Sequence, residues 1–204
     1  MGIPRRRLPH WHPEGRVLFI TWHLHGSLPK CRYPSPGHLS AGQAFVWMDR
    51  YLDTTRTGPM WLRQPTVADL VSENIRAGAG ERFYELHAWV VMANHVHLLI
   101  RPFIEPREAV RRIKGRSARE ANLVLRRTGE PFWQSESYDR WVRNTEEMTR
   151  TSRYIENNPV TAGLVSRAED YRWSSAWMRE FRVLKHPLQA KARSTTTVRR
   201  AGEV

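Results

Sequence analysis

Three short stretches of the chain are dense in apolar, β-prone residues: 17–24, 83–92 and 95–100. Each has the length and composition of a strand. Other stretches carry the helical period or helix-end signals. Ala44 to Leu52 forms a short candidate helix, broken by Gly58-Pro59. Thr66 to Ile75 places Val67, Leu70, Val71 and Ile75 on one helical face, with Thr66 as the expected cap and Asp69 in the first turn. Glu108 to Arg126 is helical in pattern and is closed by Thr128-Gly129-Glu130-Pro131. Asn144, followed three residues on by Glu147, has capping-box spacing and opens a helix expected to stop at Pro159. Between these, residues 26–44 carry Pro29, Pro34, Pro36 and Gly37 and read as a loop. Ala93-Asn94 reads as a two-residue turn, and Phe132 to Arg143 as an aromatic, extended segment.

Strands and helices in this order do not strictly alternate, so an α+β fold is expected. The economical arrangement is a ferredoxin-like antiparallel sheet with helices packed on one face, plus a C-terminal helix. The other face would then be free for a ligand. The domain is expected over residues 16–180. Residues 1–15, basic and rich in Pro and His, read as an arm. Residues 181–204, with six basic residues against one acid, read as a disordered basic tail.

Charge changes the picture. Lys and Arg number 33 against 20 Asp and Glu, a formal charge of +13, with a pI near 10.9. Such an excess points to a polyanionic partner, nucleic acid first. No apolar stretch approaches the roughly 20 residues of a membrane-spanning helix, so no membrane partner is expected. The basic N-terminus continues into His10, His12 and Glu14 instead of an apolar signal core. Cys31 is the only cysteine, so no disulfide forms within the chain. The expected compartment is the cytosol, in association with the nucleoid.

The candidate chemistry begins at Asn94-His95-Val96-His97-Leu98-Leu99-Ile100. In a strand, His95 and His97 leave the same face, and Val96, Leu98 and Ile100 line the other. Two neighbouring imidazoles can ligate a divalent metal. The plain alternative is a pair of half-buried strand histidines. Far downstream, Tyr154 lies on a helix stripe of polar residues, where core packing explains it poorly. Asn158, four positions on, shares its face unless Pro159 makes it simply the last helical residue. A phenol has an ordinary pKa near 10 and attacks usefully only when deprotonated or faced with a polarised electrophile. Tyrosine, a histidine pair and a basic surface together suggest attack on a DNA phosphorus to give a phosphotyrosine. The chain has no P-loop motif, in keeping with rejoining that needs no nucleotide cofactor.

Met92-Ala93-Asn94-His95-Val96-His97-Leu98-Leu99 resembles the HUH motif (histidine, hydrophobic, histidine) of single-strand DNA nucleases and transposases. Arg153-Tyr154-Ile155-Glu156-Asn157-Asn158-Pro159-Val160, with Ala162-Gly163-Leu164-Val165, is similar to the tyrosine-helix signature of REP-associated tyrosine transposases. Phe132-Trp133-Gln134, Tyr171-Arg172-Trp173-Ser174-Ser175 and Gly58-Pro59-Met60-Trp61-Leu62 fit the same family, so the resemblance spans about residues 16–177. It implies a metal-dependent enzyme that cleaves and rejoins single-stranded DNA near hairpins; a monomer, with Tyr154 in cis, and a homodimer that exchanges helices both stay open. It assigns His95 and His97 as metal ligands, Tyr154 as nucleophile and Asn158 as a third ligand, a Gln in some relatives. An amide oxygen suits Mg²⁺ or Mn²⁺. The family pattern gives no role to Trp22-His23-Leu24-His25. His23 and His25 read as ordinary polar strand residues, with a stray Zn²⁺ or Ni²⁺ site the alternative.

DNA would be held by basic side chains. Segment 101–127 has nine Arg and Lys against three acids. Arg111, Arg112, Lys114, Arg116 and Arg119 are expected on phosphates, as are Arg150 and Arg153. Trp133, Tyr138, Trp141, Trp173 and Trp177 are candidate base-stacking platforms. Two other functions fit the same residues: a histidine phosphodiesterase acting on RNA, and a non-catalytic module that binds single-stranded nucleic acid.

Overall fold

The computed structural model describes residues 15–28 and 40–185. Strands β1 (Leu18–His23), β2 (Tyr84–Val91), β3 (His95–Pro102) and β4 (Tyr138–Trp141) form one antiparallel sheet, in the order β2-β3-β1-β4. Helices α1 (Ala41–Thr54) and α2 (Pro65–Gly80) lie between β1 and β2, and α3 (Pro106–Val124) joins β3 to β4. Helices α4 (Thr145–Thr161) and α5 (Ser175–Lys185) follow. The strand order and crossovers are those of the expected ferredoxin-like α+β sheet.

The sheet's two faces have different roles. Leu18, Ile20, Trp22, Val96, Leu98 and Ile100 pack with Val67, Val71 and Ile75 of α2 and with Val110 and Ile113 of α3 in the main core. Phe19, Val90 and Leu99, on the opposite face, pack with Phe45 of α1 and Ile155 of α4 in a second core. This second face was expected to stand open. It is covered instead, because α1 and α4 each bring a short apolar stripe onto it, and both histidines are fully buried beneath them.

Several element ends moved for local reasons. Helix α1 starts earlier than expected, at a capping box in which Ser40 and Gln43 satisfy each other's backbone amides. Helix α2 is capped at Gln64 with Pro65 at its first position, so Thr66 lies inside it. Proline there gives up an amide that has no helical partner anyway. Pro159 does not end α4, which runs on to Thr161. Proline removes a single intrahelical bond, and Asn158 still accepts from the Ala162 amide. Asn144 caps α4 by accepting from the Glu147 amide, but Glu147 reaches back to the Arg143 amide, one residue beyond a capping box. The expected tail begins inside α5, and the expected arm lies almost wholly outside the described residues.

The segment 171–175 holds α4 against the sheet. The Trp173 carbonyl accepts from the Val91 amide at 2.9 Å, and the Tyr171 hydroxyl donates to the Val91 carbonyl at 2.9 Å. These bonds pair the otherwise open edge of β2. Ser175 donates to Glu156 of α4 at 2.7 Å. Gly58 has φ near +88°, and a Cβ there would sit 3.3 Å from the Gly26 carbonyl. Only glycine lets the loop after α1 close against the turn after β1.

Candidate active site

Beneath α1 and α4, β3 presents two imidazoles whose hydrogen bonds aim them at one point. The Asn94 amide nitrogen donates to the Leu52 carbonyl at 3.0 Å, which turns its oxygen toward His95 Nδ1, 2.7 Å away. His95 Nδ1 therefore carries the proton, and its Nε2 presents a lone pair. Thr21 Oγ1 lies 2.7 Å from His97 Nδ1, because Thr21 and His97 are register partners on β1 and β3. The two Nε2 atoms then face each other at 3.0 Å. Two lone pairs at that separation repel unless a proton or a cation lies between them.

Helix α1 adds carboxylates. Asp49 and Asp53, one turn apart, share a face. Asp49 Oδ1 is 3.1 Å from His97 Nε2 and 3.8 Å from His95 Nε2, and Asp53 Oδ1 is 3.6 Å from His95 Nε2. Asp49, His95 and His97 offer ligand atoms all within 4.8 Å of one another, and all three residues are buried. Neither Asp oxygen has a hydrogen-bond partner, and the Asn158 amide oxygen has none either. Asn158 is buried, with its amide nitrogen 3.4 Å from His97 Nε2. Rotation of that amide would bring its oxygen to the same place. Two nitrogen lone pairs and several orphan oxygens in one buried pocket form a donor set that a divalent cation would satisfy.

The electrostatics match. Burial holds His95 neutral, pushing its pKa down to about 3, with the neighbouring His97 adding to the effect. Burial also acts to raise both Asp residues, but the neighbouring His97 and His95 outweigh it at Asp49, which ends below its ordinary value. Asp53 goes the other way. Burial, and then the adjacent Asp49 charge, push it up to about 7.

Tyr154 sits at the edge of this pocket. Met148, Thr151, Ile155 and Asn158 form the inward stripe of α4, and Tyr154 lies beside it, 40% exposed. Its ring packs edge-on against His97, with centroids 5.8 Å apart, and against Phe19 at 6.1 Å. It lines a cleft of about 1030 Å³ together with Asp49 and Asp53. All these groups come from one chain.

The structure thus brings Tyr154, His95, His97 and Asn158 together. The α3 cations stand elsewhere. Helix α3 packs on the opposite face of the sheet, where Arg111 and Arg112 pair with Glu108 and Arg116 pairs with Glu81. Lys114 donates to the Gln134 and Ser135 carbonyls, and Arg119 is exposed. Arg150 and Arg153 are exposed on α4. Among the aromatic platforms, Trp133 is buried and bonded to Ser117, while Trp173 is bonded to Asp69. Trp141 is exposed. His23 lies opposite His95 in register, but Ser27 and the Leu24 carbonyl occupy its Nδ1. It is outside the ligand cluster, and His25 belongs to the turn after β1.

Sequence reasoning missed Asp49, Asp53, Asn94 and Thr21 as parts of the site. Asp49 and Asp53 were legible in principle, as two acids at helical spacing among Phe45, Met48 and Leu52 on a helix that otherwise reads as core. Thr21 required the β1–β3 register.

The family model of IS200-like transposases matches residues 43–158, more than half of the 204-residue chain. The chain belongs to the IS200-like transposase family. Among solved structures, this transposase is similar to a REP-associated tyrosine transposase bound to a REP hairpin. That match has a TM-score of 0.56 and 19% identity, covering 84% of this chain and 82% of the other. It is also similar to a putative transposase from Deinococcus radiodurans R1, with a TM-score of 0.41 and 18% identity, over 75% and 97% of the two chains. A search of curated proteins gave no match. The first structural match agrees in fold with the motif resemblance, and the protein is a transposase of the HUH type. Among the described residues, no helix is long and apolar enough to cross a membrane.

Proposed function

We propose that this transposase cuts and rejoins single-stranded DNA beside hairpins through a covalent phosphotyrosine on Tyr154. The observation that carries this reading is the packing of the Tyr154 ring on His97, beside a cleft that Tyr154 lines together with Asp49, whose Oδ1 lies 3.1 Å from His97 Nε2. His95, His97 and Asp49 would hold a divalent cation, with Asn158 as a further oxygen donor. The mixed nitrogen and oxygen set suits Mn²⁺, and Mg²⁺ is its harder counterpart. When bound, that cation polarises a phosphodiester oxygen and stabilises the charge that develops on phosphorus.

The chain's own groups do the rest. The Tyr154 oxygen attacks phosphorus, a Tyr–O–P bond forms, and the bond from phosphorus to the departing strand breaks. That strand leaves with a hydroxyl end. The phenolic proton must be held nearby, and Asp53, which lines the same cleft as Tyr154, is the carboxylate placed to hold it. The departing oxygen takes up one proton, so none is gained or lost overall. The reverse sequence rejoins a strand and draws on the retained ester bond. A monomer or a homodimer would serve. Arg150 and Arg153 flank the nucleophile, while Arg111, Arg112, Lys114, Arg116 and Arg119 would meet DNA that passes round the sheet, such as a paired stem. Such work belongs in the cytoplasm, on the nucleoid.

The test is incubation of labelled hairpin-bearing single strands with protein and Mn²⁺, followed by denaturing electrophoresis. A denaturation-resistant protein–DNA adduct that Tyr154→Phe abolishes supports the reading. Cleavage that persists in Tyr154→Phe points to direct histidine chemistry, and binding without cleavage points to a non-catalytic module.

A further inference from the structure

The strongly basic segment picked out by sequence, α3, lies across the sheet from Tyr154, and three of its arginines are already paired with acids. A different set of cations surrounds the nucleophile. Arg50 on α1, Arg56 in the loop after it and Arg63 in the short 3-10 turn Trp61–Arg63 all line the Tyr154 cleft. All three are exposed, and none makes a side-chain ion pair or hydrogen bond among the described residues. Exposed guanidinium groups around one concavity, with no ion-pair partner among the described residues, offer donors suited to phosphate. Exposed Val46 and Leu164 also line the cleft and offer apolar contact to bases. At about 1030 Å³ the cleft lies at the top of the roughly 300–1,000 Å³ range of small-molecule sites, with room for a short run of nucleotides.

We infer that the strand to be cut runs through the cleft between α1 and α4, with Arg50, Arg56 and Arg63 on the phosphates that flank the scissile one. The inference rests on the proposed function for the meaning of "scissile" and adds to it the side chains that hold the single strand. Arg50 lies in the short helix expected over Ala44–Leu52, and Arg56 and Arg63 lie on either side of the Gly58-Pro59 break, so their role emerges only from the fold.

The test is fluorescence anisotropy with a labelled, hairpin-free twelve-nucleotide oligo(dT), in EDTA, at salt concentrations from 50 to 200 mM. Three proteins are compared: wild type, the triple variant Arg50→Ala/Arg56→Ala/Arg63→Ala, and Arg111→Ala/Arg112→Ala/Arg116→Ala. Each lost phosphate contact on a single strand should reduce the salt slope by about 0.7, so the cleft variant should lose about 2 in slope. Its affinity at 50 mM salt should fall at least tenfold. The α3 variant should stay within twofold of wild type. Circular dichroism confirms that both variants fold. Equal binding by the cleft variant and wild type, a larger loss in the α3 variant, or no binding by wild type overturns the inference. Neither metal nor tyrosine chemistry enters this assay. If the Tyr154 adduct never forms while arginine-dependent binding holds, the proposed function fails alone. If the adduct forms but the cleft variant binds normally, this inference fails alone.

Discussion

Asp53→Asn should make the metal-free protein more stable at neutral pH, although it removes a buried charged group from a helix in contact with the site. The Asp53 carboxyl is only 11% exposed, and burial with the adjacent Asp49 charge raises its pKa from 3.8 to about 7. A carboxyl that holds its proton more tightly in the folded state than in the unfolded one favours folding at low pH. That advantage is lost as pH rises from the unfolded value to the folded one. The loss runs at about 1.4 kcal/mol per pH unit and totals about 4 kcal/mol by pH 7 to 8. His95 acts with the opposite sign. Its folded pKa is depressed to about 3, so its contribution is complete above pH 6.5 and is lost as pH falls toward 3. In the wild type the two slopes oppose each other between pH 4 and 6.5, which flattens the stability profile. Asparagine does not titrate, so the variant should keep the His95 slope without the Asp53 slope that opposes it. Urea unfolding of both proteins in EDTA, at half-unit steps from pH 4 to 8, measures this directly. The stability of the variant minus that of the wild type should climb by about 1.4 kcal/mol per unit from pH 4 to 7, then level off. A difference that stays flat with pH would refute the reasoning, because the carboxyl would then carry no raised pKa.

Two further outcomes follow from the same structure. Asn94→Ala removes the acceptor of the His95 Nδ1 proton and the donor to the Leu52 carbonyl. Calorimetric titration should show Mn²⁺ affinity lower by roughly 10–100-fold, with stability reduced by about 2–4 kcal/mol. Asn94→Asp should recover the affinity, since it keeps the acceptor, but not the stability. Gly78→Ala places a Cβ 2.6 Å from the Tyr84 hydroxyl, which donates to the Ile75 carbonyl at 2.6 Å. The clash and the lost bond outweigh alanine's helix preference by about 2 kcal/mol, so a thermal melt should shift down by roughly 4–8 °C.

The fold was largely legible because its signals are local. Val96, Leu98 and Ile100 alternate with His95 and His97, and that alone divided the sheet's faces correctly. The covering of the second face was not legible. Helix α1 is capped by Ser40, next to a segment rich in proline, and only a few of its residues face inward, so it read as a short helix of no special position. With α1 misjudged, Asp49 and Asp53 stayed invisible, although they complete the candidate metal pocket. Asn158 was ambiguous because Pro159 ordinarily marks a helix end. Tertiary packing carried α4 past it, and so kept Asn158 in the turn that faces His97. The place of the basic run of α3, across the sheet from Tyr154, was not legible either. Net charge along a segment is local, whereas the pairing of Arg116 with Glu81 and the helix's side of the sheet are not.

The central claim is that the Tyr154 oxygen becomes bonded to phosphorus. Mass spectrometry of the protein after reaction with a hairpin-bearing single strand and Mn²⁺, then nuclease trimming and proteolysis, reads that bond directly. The account predicts a nucleotide phosphate on the peptide that carries Tyr154, localised to that tyrosine by fragmentation. A nucleotide found on His95, His97 or Tyr138 instead, or cleaved DNA with no modified peptide, would contradict it.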